Sequence, residues 1–104
     1  MKYNVTIEEY KDSLEILISL ALKYQSAATE AAAEIILSIN NSPKWKFNLG
    51  NLRSLDPYNY KAAMIAIAGY RKHGIYPYNL IQDSDARLKQ LKKTYNYLAI
   101  KSLK

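Results

Sequence analysis

Asp56-Pro57-Tyr58-Asn59-Tyr60-Lys61-Ala62-Ala63-Met64-Ile65-Ala66-Ile67-Ala68-Gly69-Tyr70-Arg71-Lys72-His73-Gly74 decides the fold class, because it carries a helix start, a helix body and a helix stop in order. Asp56 is an N-cap residue whose carboxylate can accept from the orphan N–H groups of a first turn. Pro57 follows at the first helical position, where its missing N–H costs nothing. Gly74 suits a left-handed C-cap, and Arg71, Lys72 and His73 fall in the last turn, where cations complement the helix dipole. The stretch therefore predicts a helix from Pro57 to about His73, and the lone histidine is accounted for by that last turn. Ala62 to Ala68 lacks any polar side chain, so this helix is expected to be buried on most sides.

Upstream, Thr6 with Glu9 three residues on reads as a capping box, and Val5 and Tyr10 stand where a hydrophobic staple requires them. Ile7, Tyr10, Leu14, Leu17, Ile18 and Ala21 recur at three- and four-residue steps, which makes an amphipathic helix running to about Tyr24. Gln25 and Ser26 offer a break, with Ser26 as cap for a second helix from Ala27 to Asn40. That helix is apolar nearly all round and small-sided over its first half, and Asn40, Asn41, Ser42 and Pro43 end it. Downstream, Ile75-Tyr76-Pro77-Tyr78 reads as a turn, with Pro77 opening a short helical piece through Ile81. A last helix is expected from Asp83 or Ser84, carrying Leu88, Leu91, Tyr95, Leu98 and Ser102 at heptad-like spacing. No segment alternates with period two over more than a few residues. The expectation is an all-α chain: one compact small domain, residues 1–104, of about four to five helices, with the second and third long helices at the centre.

The connector Lys44-Trp45-Lys46-Phe47-Asn48-Leu49-Gly50-Asn51-Leu52-Arg53-Ser54-Leu55 holds the only tryptophan and the only phenylalanine. One reading is a lid, in which Trp45, Phe47, Leu49, Leu52 and Leu55 fold back over the core with a helical turn near residues 49–54. The other is an exposed Trp45 between Lys44 and Lys46, placed to stack on a base or anchor a protein contact.

Ala32-Ala33-Glu34-Ile35-Ile36-Leu37-Ser38-Ile39-Asn40-Asn41, then Trp45-Lys46-Phe47-Asn48-Leu49, Leu52-Arg53-Ser54-Leu55-Asp56 and Ala62-Ala63-Met64 resemble a family of small uncharacterised bacterial proteins. Its members are carried on plasmids, prophages and integron gene cassettes. The likeness covers roughly residues 20–80 and leaves both ends outside it. It implies a small helical fold and carriage by mobile DNA, and it transfers no catalytic residue.

Composition removes several function classes. The 104 residues contain no cysteine and one histidine, which excludes a disulfide scaffold, a thiol nucleophile, thiolate metal sites and most His-ligated ones. The acids fall on helix faces or at caps, the three glycines form no phosphate loop, and no Ser/His/Asp set can be assembled. Neither catalysis, nor a cofactor, nor a metal is expected. The start lacks the layout of a signal peptide, and the longest uncharged apolar run, Ile16 to Leu22, is far below the ~20 residues a bilayer span needs. No membrane partner is expected, and cytoplasmic residence is.

The net charge of +6 divides unevenly. Residues 1–34 hold six acids against three bases, and residues 35–104 hold three acids against twelve bases. After Asp85 there are six bases (Arg87, Lys89, Lys92, Lys93, Lys101, Lys104) and no acid, which points to an anionic partner for the C-terminal end. On a helix continuing to the end of the chain, Lys89, Lys93, Tyr97, Ile100 and Lys104 fall broadly on one side, opposite Leu88, Leu91, Tyr95 and Leu98. Tyr is abundant, with ten copies, and supplies stiff amphipathic contact surface. Candidate partner-binding residues are therefore Lys44, Trp45, Lys46, Tyr76, Tyr78, Lys89, Lys93, Tyr97, Ile100 and Lys101. The expected function is non-enzymatic binding of a protein partner or of a second copy of the chain. The alternatives are non-sequence-specific nucleic-acid binding, since lysine outnumbers arginine twelve to three, and a phage-type inhibitor of a host defence system.

Overall fold

The computed structural model describes residues 4–23, 26–41 and 44–99. The chain forms four α-helices, α1 (Ile7–Ala21), α2 (Ala27–Asn40), α3 (Pro57–His73) and α4 (Ser84–Thr94), with 3-10 turns at Leu49–Ser54, Pro77–Asn79 and Asn96–Leu98. Among the described residues there is no strand, only an isolated antiparallel bridge between Trp45 and Ala99. The protein is all-α.

The helix ends follow their capping chemistry. Thr6 Oγ1 accepts from Glu9 N at 3.0 Å while Glu9 Oε1 accepts from Thr6 N at 2.9 Å, closing the box at the start of α1. Ser26 and Thr29 close a similar pair at α2. Asp56 Oδ1 accepts from Asn59 N at 2.8 Å, and Gly74 stops α3 at φ 65, ψ 18, a left-handed conformation that a Cβ would strain. The first helix is shorter than its pattern suggests, ending at Ala21 with Leu22 as its C-cap.

The centre differs from the sequence expectation. α1 packs along both α2 and α3, whereas α2 and α3 barely meet, so α1 and α2 form the centre and α3 flanks α1. The physical reason is the size of what each helix buries. α1 inserts Tyr10, Leu14, Leu17 and Ile18, and α2 buries Ile35, Ile36 and Leu37 besides its alanines. α3 buries only Ala62, Ala63, Ala66 and Gly69, a narrow strip that lets it lie close to α1. Ile67, inside the apolar run expected to be covered on most sides, is 40% exposed.

Tyr10 ties this face together. Its hydroxyl donates to Ile75 O at 2.6 Å, and its ring stacks on His73 with centroids 6.4 Å apart and planes at 19°. His73 Nε2 lies 2.7 Å from Val5 O, and a carbonyl only accepts, so that nitrogen carries the proton. His73 thus joins the end of α3 to the chain entering α1, a role beyond its place near the dipole.

The connector is a lid. Trp45 is 3% exposed, and Phe47, Leu52 and Leu55 pack against the core, while Leu49, expected to join them, is 71% exposed. The buried Glu34 of α2 secures the turn above it, with Oε1 accepting from Asn51 Nδ2 at 2.8 Å and from Asn48 N at a longer 3.4 Å. A carboxylate taken from water needs such donors.

The last helix is also shorter than expected. It stops at Thr94, and Tyr95, with φ −108 and ψ 24, turns the chain into the 3-10 segment. Tyr95 is fully buried and donates its hydroxyl to Ala21 O at 3.2 Å, occupying an orphan carbonyl of α1. The chain then meets Trp45 through the bridge at Ala99. Leu98 therefore belongs to this turn rather than to a continuous heptad, and Ser102 lies outside the described residues. The Cα radius of gyration, 12.8 Å, is what a folded chain of about 100 residues has.

Candidate functional site

The candidate partner-binding residues divide into three groups. Trp45 is a core residue, so it offers no exposed ring; Lys44 and Lys46 beside it are exposed, with Lys44 Nζ 5.9 Å from the indole centroid. The ring is buried because the lid over the core uses the large indole as its anchor. Tyr97 does not share a helical face with Lys89 and Lys93, because α4 ends before it. It sits on the 3-10 turn, where its hydroxyl donates to Glu30 Oε2 of α2 at 2.6 Å. Ile100 and Lys101, with Lys104, lie outside the described residues.

The remaining group comes together around α4. Buried Pro77 seats the 77–79 turn, and Tyr78 N donates to Asn40 Oδ1 at 3.2 Å, which fixes the turn against the end of α2. The Tyr78 hydroxyl then donates to Asp85 Oδ1 at 2.8 Å, in the first turn of α4. That hydrogen bond, and then the carboxylate charge, hold the Tyr78 phenol above its ordinary value. Tyr78, Asp85, Ala86, Leu88, Lys89 and Lys92 line an open groove of about 570 Å³. Lys93 is exposed on the same side of α4, and Lys92, which the sequence reading did not single out, is brought in by its i+3 spacing from Lys89. Tyr76 stands apart from this groove, stacked on Tyr70 with centroids 5.9 Å apart.

The electrostatics of this face are set by where the acids go. Among the described residues the one ion pair is Arg87 Nη1 with Glu15 Oε1 at 2.7 Å, and Glu15 Oε2 also accepts from Gln82 N at 2.8 Å. Glu15 and Arg87 thus clamp α4 to α1, across a turn in which Asp83 adopts a left-handed φ of 54. Lys89, Lys92 and Lys93 are left exposed, with no carboxylate in ion-pairing range among the described residues. A second, more apolar groove of about 260 Å³ runs between α1 and α3, lined by Asp12, Ile16, Tyr58, Ala62 and Ile65 among others. Among the described residues no group of three or more His, Asp or Glu side chains is placed to hold a metal ion. No helix of the described residues is long and apolar enough to cross a membrane.

A small all-α chain with an exposed lysine face on α4, free of ion pairs among the described residues, is the class that fold and site define. The chain belongs to a family of unknown function (DUF7673), which matches residues 11–96 and so takes in all of α2, α3 and α4. No curated protein and no solved structure matches it.

Proposed function

We propose that the protein is a non-enzymatic interaction protein that binds an acidic protein partner through the Tyr78–Lys93 face. The observation that carries the reading is the exposure of Lys89, Lys92 and Lys93 together on α4, without carboxylate partners among the described residues, beside a groove that Tyr78 walls. Unpaired, clustered ammonium groups raise the local concentration of anionic partners, and an aromatic wall adds contact area at low entropy cost. The same lysines support nucleic-acid phosphate as a second reading. A second copy of the chain would offer the exposed Glu8 and Asp12 of α1 as its acidic surface. Carriage by mobile DNA, and with it inhibition of a host defence system, is what the sequence resemblance adds.

The test measures binding of a labelled poly-glutamate peptide and of a single-stranded oligonucleotide to the parent and to Lys89→Ala/Lys92→Ala/Lys93→Ala at low salt. The peptide is expected to bind the parent and to be lost in the triple variant. Peptide binding that survives the three substitutions overturns the reading, and preference for the oligonucleotide replaces it with the phosphate reading.

A further inference from the structure

Asp85 and Lys89 stand four residues apart on α4, acid first, the spacing and order in which a helical ion pair forms most readily. That pair is absent: no Asp85 oxygen lies within 4.0 Å of Lys89 Nζ. Instead Asp85 Oδ1 accepts from the Tyr78 hydroxyl at 2.8 Å. The placement of Tyr78 is built and not incidental, since Pro77 is buried and Asn40 Oδ1 accepts from Tyr78 N. The single acid of this face is therefore engaged by a neutral donor from another segment, while its natural cationic partner remains in the groove unpaired.

We infer that Tyr78 is a positioning residue of the docking face: by engaging the Asp85 carboxylate it keeps the Lys89 ammonium free for an anionic group of the partner. This rests on the reading of the α4 face as the contact surface. Without the hydroxyl, Asp85 turns to Lys89, and a partner carboxylate must then compete with an acid already in place.

The test is a double-mutant cycle with the poly-glutamate peptide as probe, on the full chain. Tyr78→Phe is expected to weaken binding about twofold, the size of a helical i,i+4 pair, and to have no effect in an Asp85→Asn background. An equal loss in both backgrounds, or none in either, overturns the inference, because the Tyr78 hydroxyl, as distinct from the ring that walls the groove, would then bind the peptide itself or be idle. A readout that needs no probe is the Lys89 side-chain ammonium resonance in NMR, which is expected to shift in Tyr78→Phe and to stay in place in the double variant. If the parent does not bind the peptide, the face reading fails, and this resonance still decides the competition: no shift in Tyr78→Phe overturns it.

Discussion

Gly69 and Tyr10 face each other across the α1–α3 contact so closely that a Cβ at position 69 would stand 2.5 Å from Tyr10 Cδ1 and 2.6 Å from Cγ. The ring is fully buried, tied at its hydroxyl and stacked on His73, so it has little room to give. Glycine inside a helix ordinarily costs about 1 kcal/mol relative to alanine. Here that cost is offset by the close approach of two helices.

Gly69→Ala is accordingly expected to destabilise the fold, although it improves helix propensity. Overpacking a filled contact costs about 1–3 kcal/mol, which outweighs the propensity gain at all but the low end of the range. Thermal unfolding should show a melting temperature several degrees below the parent; an unchanged or higher value would mean that α3 slides away from Tyr10 freely.

Tyr95 and Tyr97 make a matched pair of hydroxyl deletions. Tyr95→Phe removes a buried donor from Ala21 O and is expected to cost about 1 kcal/mol. Tyr97→Phe removes an exposed contact to Glu30 and should stay within about 0.5 kcal/mol. Denaturant midpoints of the two variants check the order, and equal losses would contradict the burial assigned to Tyr95.

Glu34 holds the lid turn through one carboxylate oxygen, which accepts from Asn51 Nδ2 and from Asn48 N. Glu34→Ala leaves Asn51 Nδ2 and Asn48 N without that acceptor, at a cost of about 1–3 kcal/mol. Hydrogen exchange over residues 48–54 should accelerate well beyond that over α1. Uniform acceleration along the chain would show that the lid is not a separate unit.

Burial, and then the neighbouring Tyr70, push the Tyr10 phenol well above its ordinary value. The native state therefore keeps that proton at pH values where the unfolded chain loses it. The contribution to stability is fully present below the ordinary tyrosine value and declines as pH rises above it. Denaturant midpoints measured at about pH 9 and about pH 11, on either side of the ordinary tyrosine value of about 10, should fall more in the parent than in Tyr10→Phe. The same fall in both would place the alkaline sensitivity elsewhere.

The helix boundaries were legible wherever short-range chemistry sets them. Thr6 with Glu9, Ser26, and Asp56-Pro57 with Gly74 each act within four residues, and α2 and α3 run between the residues read as their ends. What sequence spacing did not show is what long-range packing decides. Ala62 to Ala68 reads as a core run, but small side chains also suit a close one-sided crossing, and only the presence of Tyr10 opposite Gly69 distinguishes the two. Tyr95 fits a helical heptad as well as it fits a cap for Ala21 O, a residue 74 positions away. The basic face was legible as charge asymmetry after Asp85. Its geometry was not, because the pairing of Tyr78 with Asp85 depends on the 77–79 turn being seated against Asn40.

Leu88 and Leu91 of α4 and the following Tyr95 are buried in the core, so the face is tested by substitution in place rather than by deletion. The most direct measurement is a titration of isotope-labelled protein with the poly-glutamate peptide, followed by backbone and lysine side-chain NMR. Shifts are expected to concentrate on residues 77–79 and on Lys89, Lys92 and Lys93, and to weaken as salt is raised. Shifts concentrated instead along the α1–α3 groove at Asp12, Ile16, Tyr58 and Ile65, or none at any peptide concentration, would contradict it.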